Sequence, residues 1–159
     1  MTASKKQATV HNIYEAALRA SFDGLRLPGE AVDFLIDMWA CIQMFDDVAD
    51  GDTVSRDELD RVLWGALVKM PGNPFYVANA KTLIPVIATQ ILKWQASDKV
   101  EREGKADARS FVWRAGYYDL VLIVVQLCKG YEAAVRAAPS VLSLYGEKLD
   151  DYLKEFGHA

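Results

Sequence analysis

No stretch of this chain alternates apolar and polar residues at period two. Its apolar residues recur instead at three- and four-residue spacing, between signals that start and stop helices. That pattern predicts an all-α fold, a compact single-domain bundle of about six helices. A polar tail over residues 1–7 precedes a first helix, Ala8 to Phe22, whose stripe is Ile13, Ala17 and Ala20 with Leu18 beside it. Asp23-Gly24 stops it. Pro28 suits the first turn of a second helix that runs to Asp50. Ser55-Arg56-Asp57-Glu58 reads as a capping box opening a third, which reaches Met70 ahead of Pro71-Gly72. Asn73-Pro74 starts a fourth, extending to Glu103 and kinked or split at Pro85. Asp107 caps a fifth, to Lys129. A short helix follows Gly130, and the last spans Pro139 to Phe156 with Gly146 as its weak point. Helices two, four and five are expected to form the core.

A chain of 159 residues suits one domain that buries about two-thirds of its unfolded surface. The net charge of −4 and pI of about 5.2 argue against a nucleic-acid partner, which calls for a basic face. The N-terminal lysines are not followed by the apolar core of a signal peptide. The longest apolar runs, Leu120–Val125 and Ile84–Ala88, fall short of the ~20 residues of a membrane span. A cytoplasmic protein without membrane contact is therefore expected, with Cys41 and Cys128 as buried thiols. His11 and His158 lie near the two ends of the chain, which weakens a histidine-based catalytic or zinc site.

The end of the second helix is chemically the most marked segment. Phe45-Asp46-Asp47-Val48-Ala49-Asp50-Gly51-Asp52 places carboxylates where a helix dipole favours cations. Between Gly29 and Gly51 there is no Lys or Arg, yet Glu30, Asp33, Asp37, Asp46, Asp47 and Asp50 are present. The like-charged pairs Asp33/Asp37 and Asp46/Asp50 each cost roughly 0.2–0.5 kcal/mol of helix stability. A bound cation, basic side chains of other helices, or water must offset this. Asp33, Asp37, Ala40, Met44 and Asp47 share one stripe, opposite Phe34, Met38, Cys41 and Phe45. The plainest reading is an acidic solvent face; the absence of basic residues and the presence of Ile36 and Met44 in the stripe speak against it. As metal ligands, Asp46, Asp47 and Asp50 are hard oxygen donors suited to Mg²⁺, Mn²⁺ or Ca²⁺. A calcium-loop reading from Asp46 fails at Val48 in the third position and Asp57 in the twelfth.

Asp46-Asp47-Val48-Ala49-Asp50 resembles the aspartate-rich motif of class I isoprenoid synthases, including squalene and phytoene synthases. The resemblance implies an all-helical, Mg²⁺-dependent enzyme acting on a diphosphate, with Asp46, Asp47 and Asp50 as metal ligands. Lys93 and Arg114 would then be diphosphate binders. A related alternative uses Asp33, Asp37, Asp47 and Asp50 as the acidic box of a small nucleotide pyrophosphohydrolase.

Several further residues stand out. Arg114 shares a helix face with Tyr118, Val121 and Val125, so it needs a carboxylate or carbonyl partner, with Asp119, Asp98 or an acid of the second helix as the expected salt bridge. Asp119 and Gln126 suggest a polar seam in the core. Trp39, Trp64, Trp94 and Trp113 sit at core-like spacings and read as packing residues. The segments FDDVADGD at Phe45–Asp52, MPGNPFYV at Met70–Val77, LKWQASD at Leu92–Asp98, FVWRAGYYDLVL at Phe111–Leu122 and YGEKLDDYLKEF at Tyr145–Phe156 together resemble small helical proteins of tailed phages and prophages. That resemblance implies an accessory or binding protein in a bacterial host cytoplasm, with a protein partner or a second copy of itself, and no defined chemistry.

Overall fold

A computed structural model describes residues 3–156, with side chains described from His11 onward. Every regular element among the described residues is helical: α1 (Ala3–Gly24), α2 (Gly29–Asp50), α3 (Arg56–Trp64), a π-helical turn (Gly65–Lys69), α4 (Pro74–Arg102), α5 (Ala108–Arg114), α6 (Tyr117–Lys129), α7 (Tyr131–Leu142), a 3₁₀ turn (Ser143–Tyr145) and α8 (Leu149–Phe156). The all-α expectation holds, with eight α-helices where about six were expected. One break adds a helix and a second moves a boundary. The stretch read as one helix from Asp107 to Lys129 turns by 49° between α5 and α6, at Ala115–Gly116. The stretch read as one helix from Pro139 is divided at Gly146, whose φ of +70° suits glycine, while Pro139 lies inside α7.

Local chemistry sets the helix ends. Ser55 Oγ accepts from Glu58 N and starts α3. Asp107 and Ser110 complete a reciprocal capping box on α5. Gly51, at φ +80°, closes α2, with Asp52 N bonded back to Asp47 O at 2.8 Å, the six-residue ring of a Schellman end. Pro85 does not split α4, and the Thr89 hydroxyl bonds the Pro85 carbonyl.

The residues fall into two compact units divided between Asn79 and Ala80, a point within α4. In the first unit, α2 is the central element and buries ten side chains, among them Phe34, Leu35 and Ile36. Each large apolar side chain fully withdrawn from water, as Phe34 and Leu35 are, contributes roughly 1.5–3 kcal/mol. Phe34 stacks on Tyr76 at 5.4 Å. Farther along, Ala40, Cys41 and Met44 pack with Val62, flanked by Val54, Leu59, Ala66 and Met70. The stripe of α2 read as a solvated acidic face is thus largely interior, whereas Phe45, assigned to the apolar face, is 58% exposed. On α1 the inward face is His11, Glu15, Leu18 and Phe22, spaced four, three and four apart; Ile13, Ala17 and Ala20 are exposed.

In the second unit, α6 buries Tyr117, Tyr118, Leu120, Val121, Val124 and Val125, packing chiefly on α7, while α5 packs on α8. α4 turns its buried face inward at Leu83, Gln90, Ser97 and Glu101, a mostly polar set at helical spacing, and leaves Ile84, Ile91 and Leu92 exposed. α4 is long and apolar enough to cross a membrane by length and composition alone. No apolar run of that length is visible in the sequence because Lys81, Gln90 and Lys93 interrupt it.

Candidate functional site

The aspartates of α2 do not gather at one point. Asp33, on the exposed side of α2, meets Arg19 Nη1 of α1 at 3.5 Å. Asp37, one turn on, accepts from Lys69 Nζ at 2.8 Å. Lys69 is carried there by the π-helical turn, whose widened ring is closed by Met70 N donating to Gly65 O at 2.8 Å. Glu15 of α1 binds both Arg19 and Arg61, at 3.1 and 3.0 Å. Arg19, Arg61, Lys69, Glu15 and Asp37 line one cleft of about 220 Å³. Its cations are engaged by carboxylates of neighbouring elements, so the cleft is close to self-neutralised. Basic side chains from other helices therefore offset the acidic charge of α2 at Asp33 and Asp37.

At the C-terminal end of α2 the arrangement is different. Asp47 Oδ2 lies 3.9 Å from His11 Nε2, and His11 Nδ1 lies 3.2 Å from Glu58 Oε1. The three side chains are only 11–13% exposed and come from α1, α2 and α3. The His11 ring meets Trp39 edge-on at 5.9 Å. Glu58 was expected to close the capping box of α3; its backbone amide does donate to Ser55, while its carboxylate faces His11. Of the proposed metal ligands, Asp47 joins this group, Asp46 is half-buried, and Asp50 is exposed. Distance from the middle of the chain does not keep His11 out of a site: the fold brings it to residues 36 and 47 positions away in sequence. His158 lies outside the described residues.

The second unit holds a buried polar network that the sequence did not announce. Glu101, 4% exposed at its side chain, accepts from Ser97 Oγ and from Tyr152 OH, each at 2.6 Å, and pairs with Arg114. Tyr152 OH also meets Ser110 Oγ at 2.7 Å, and Ser97 Oγ lies 2.9 Å from the Ser110 carbonyl. The Arg114 guanidinium sits 5.2 Å from the Phe156 ring. Arg114 thus has the acidic partner its position demanded, in Glu101 and not in Asp98 or Asp119. Burial, with the Glu101 carboxylate alongside, holds the Tyr152 hydroxyl above its ordinary pKa. Lys93 Nζ binds Asp119 Oδ2 at 2.5 Å, and with Asp119 46% exposed and Gln126 exposed, no polar seam runs through the core there. Both residues read as diphosphate binders are thus engaged by carboxylates of their own unit.

Two features of the first unit bear on binding. Residues 1–79 carry seven Lys or Arg against twelve Asp or Glu, while residues 80–159 carry eleven against ten, so the acidic excess resides in the first unit. In addition, the outer face of α3 and the π-helical turn exposes Leu63, Trp64, Leu67 and Val68, with Trp64 62% and Leu67 70% exposed. Trp64 is therefore not the packing residue its spacing suggested; Trp39 is buried, and Trp94 and Trp113 are half-buried. No family model matches the chain, and comparison with curated proteins and with solved structures gives no match.

Proposed function

We propose that this chain acts by binding, as an accessory protein of the phage or prophage kind that its segments resemble, working in the cytoplasm of a bacterial host. Its partner is a basic protein that docks on the outer face of α3 and the π-helical turn. The observation that carries this reading is the exposed patch of Leu63, Trp64, Leu67 and Val68. Tryptophan is enriched at interface hot spots, and Trp64, which also lines the cleft of Arg19, Arg61 and Lys69, is exposed near three exposed aliphatic side chains of the same helical stretch. The excess of five negative charges over residues 1–79 selects for a basic rim on that partner and speeds encounter more than it adds affinity. The diphosphate-enzyme alternative is weakened because Lys93 and Arg114 are engaged by Asp119 and Glu101.

The test replaces Trp64 with the photo-crosslinking residue benzoylphenylalanine in host cells. A single basic protein should be captured, its adduct should be lost on Leu67→Asp, and its yield should fall as salt is added. An adduct with a second copy of the chain, with a neutral or acidic protein, or one that persists in Leu67→Asp would overturn the reading.

A further inference from the structure

We propose that His11, Asp47 and Glu58 form a binding site for a divalent transition-metal ion of the zinc type, clamping α1 onto α2 and α3. One donor atom of each residue lies within 4.8 Å of those of the other two. An ion takes one ring nitrogen of His11, and the 3.2 and 3.9 Å separations involve different ones, Nδ1 and Nε2. With a single nitrogen chosen the three donors lie within 4.8 Å of one another, against roughly 3.3–3.6 Å for two donors on one tetrahedral ion, so small side-chain rotations close the site. The 3.9 Å gap between His11 Nε2 and Asp47 Oδ2 is too long for a hydrogen bond and is of the size an ion would span after a small side-chain adjustment.

The donor chemistry chooses the ion. One imidazole and two carboxylates suit Zn²⁺, Co²⁺ or Mn²⁺, whereas Mg²⁺ and Ca²⁺ take oxygen ligands. The site thus differs in both ligands and metal from a Mg²⁺ site on Asp46, Asp47 and Asp50, sharing only Asp47. A divalent ion places two positive charges beside two carboxylates that are only 12–13% exposed. The ring is already oriented: Trp39 packs against it, and Glu58 is turned to it in place of its capping role.

The consequence falls on α1. Among the described residues of this helix, the fully inward apolar side chains are Leu18 and Phe22. His11 lies two turns before Leu18, so occupancy would set how firmly α1 is held around His11. The site does not depend on the docking surface: it is tested on the purified chain alone, and either proposal can fail without the other.

The experiment titrates chelator-stripped full-length protein with ZnCl₂ by calorimetry and with CoCl₂ by visible absorption, alongside hydrogen exchange. One ion should bind per chain, Co²⁺ should give the ligand-field bands of a low-coordinate site, and Zn²⁺ should slow exchange in α1 around His11. His11→Gln and Glu58→Gln should each weaken binding about tenfold or more. His158→Ala and the double change Asp46→Asn with Asp50→Asn should leave affinity within about twofold. Because a histidine variant could fold poorly, Glu58→Gln serves as the second test, and tryptophan fluorescence confirms folding of both. The proposal is overturned if wild-type protein gives no saturable Zn²⁺ or Co²⁺ binding, or if binding survives both His11→Gln and Glu58→Gln. It is equally overturned if Mg²⁺ competes and the Asp46/Asp50 double change abolishes binding, which would assign the metal to the aspartate motif.

Discussion

Arg114 shows how much one side chain can hold in place. Its guanidinium pairs with Glu101, a carboxylate 4% exposed, which also accepts from Ser97 and Tyr152. Breaking such a pair from one side strands a charge in a poorly solvated place, at a cost of about 3–5 kcal/mol. Arg114→Met should destabilise the second unit by that amount. The double change Arg114→Met with Glu101→Gln should recover most of the loss, because the neutral amide still accepts from Ser97 and Tyr152. Urea unfolding followed by the fluorescence of Trp94 and Trp113 reads this unit; a single change costing less than about 1 kcal/mol would mean that water or another cation already serves Glu101. By contrast, the exposed pair of Lys154 and Asp151, at 3.3 Å, belongs to the class worth well under 1 kcal/mol.

At the scale of elements, α4 combines a proline in its interior with a polar buried face. Pro85 has no amide to give to the helix ladder and its ring crowds the preceding turn, which in a helix interior costs about 3 kcal/mol. Pro85→Ala is therefore expected to stabilise the protein by about 1–3 kcal/mol, seen as a higher urea midpoint with unchanged circular dichroism; a lower midpoint would mean that the proline ring itself packs productively. The inward face of the same helix is held by specific bonds and not by apolar burial alone. Gln90 Nε2 donates to the Gly116 carbonyl at 2.6 Å, at the break between α5 and α6, and Ser97 and Glu101 join the network around Tyr152. Helical periodicity identified α4 correctly as a helix, and its inward face is mostly polar beside Leu83, with Ile84, Ile91 and Leu92 outward. Hydrophobic spacing gave no warning, since Gln90 Nε2 finds its partner at Gly116 and the Ser97–Glu101 pair is completed by Ser110, Arg114 and Tyr152 of other elements.

The whole molecule should respond to alkali through its buried and half-buried phenols and thiols; Cys41 is buried as expected, whereas Cys128 is half-buried. Burial raises the pKa of Tyr117, Tyr145 and Tyr152 above 10.0, and for Tyr145 the neighbouring Glu147 carboxylate adds to it. Cys41 and Cys128 are raised above 9.0 by the same loss of solvation. Each group thus holds its proton more tightly folded than unfolded. Their contribution is complete below the unfolded values and is lost as pH climbs toward the folded ones, because the unfolded chain ionises first. Urea midpoints should hold steady up to about pH 9, begin to decline there as the thiols ionise, and fall more steeply past pH 10. Tyr152→Phe should flatten the steeper part, and a midpoint that stays level past pH 10 would refute the expectation.

The sequence by itself determined the class of the fold and most helix ends. Ser55, Asn73 and Asp107 cap, Gly51 and Gly146 terminate, and each does so through bonds or backbone angles involving residues a few positions away. Such signals are legible because their partners are local. The tertiary structure alone decided which face of α1 and α4 turns inward, where Trp64 points, and which acid meets Arg114. It also decided that Asp33 and Asp37 are met separately by Arg19 and Lys69, and that Asp47 faces His11 and Glu58. Those pairings join residues on different helices, and the energy that selects them arises only when the helices pack. Periodicity can show that an acidic stripe exists; only packing shows which cation each carboxylate meets.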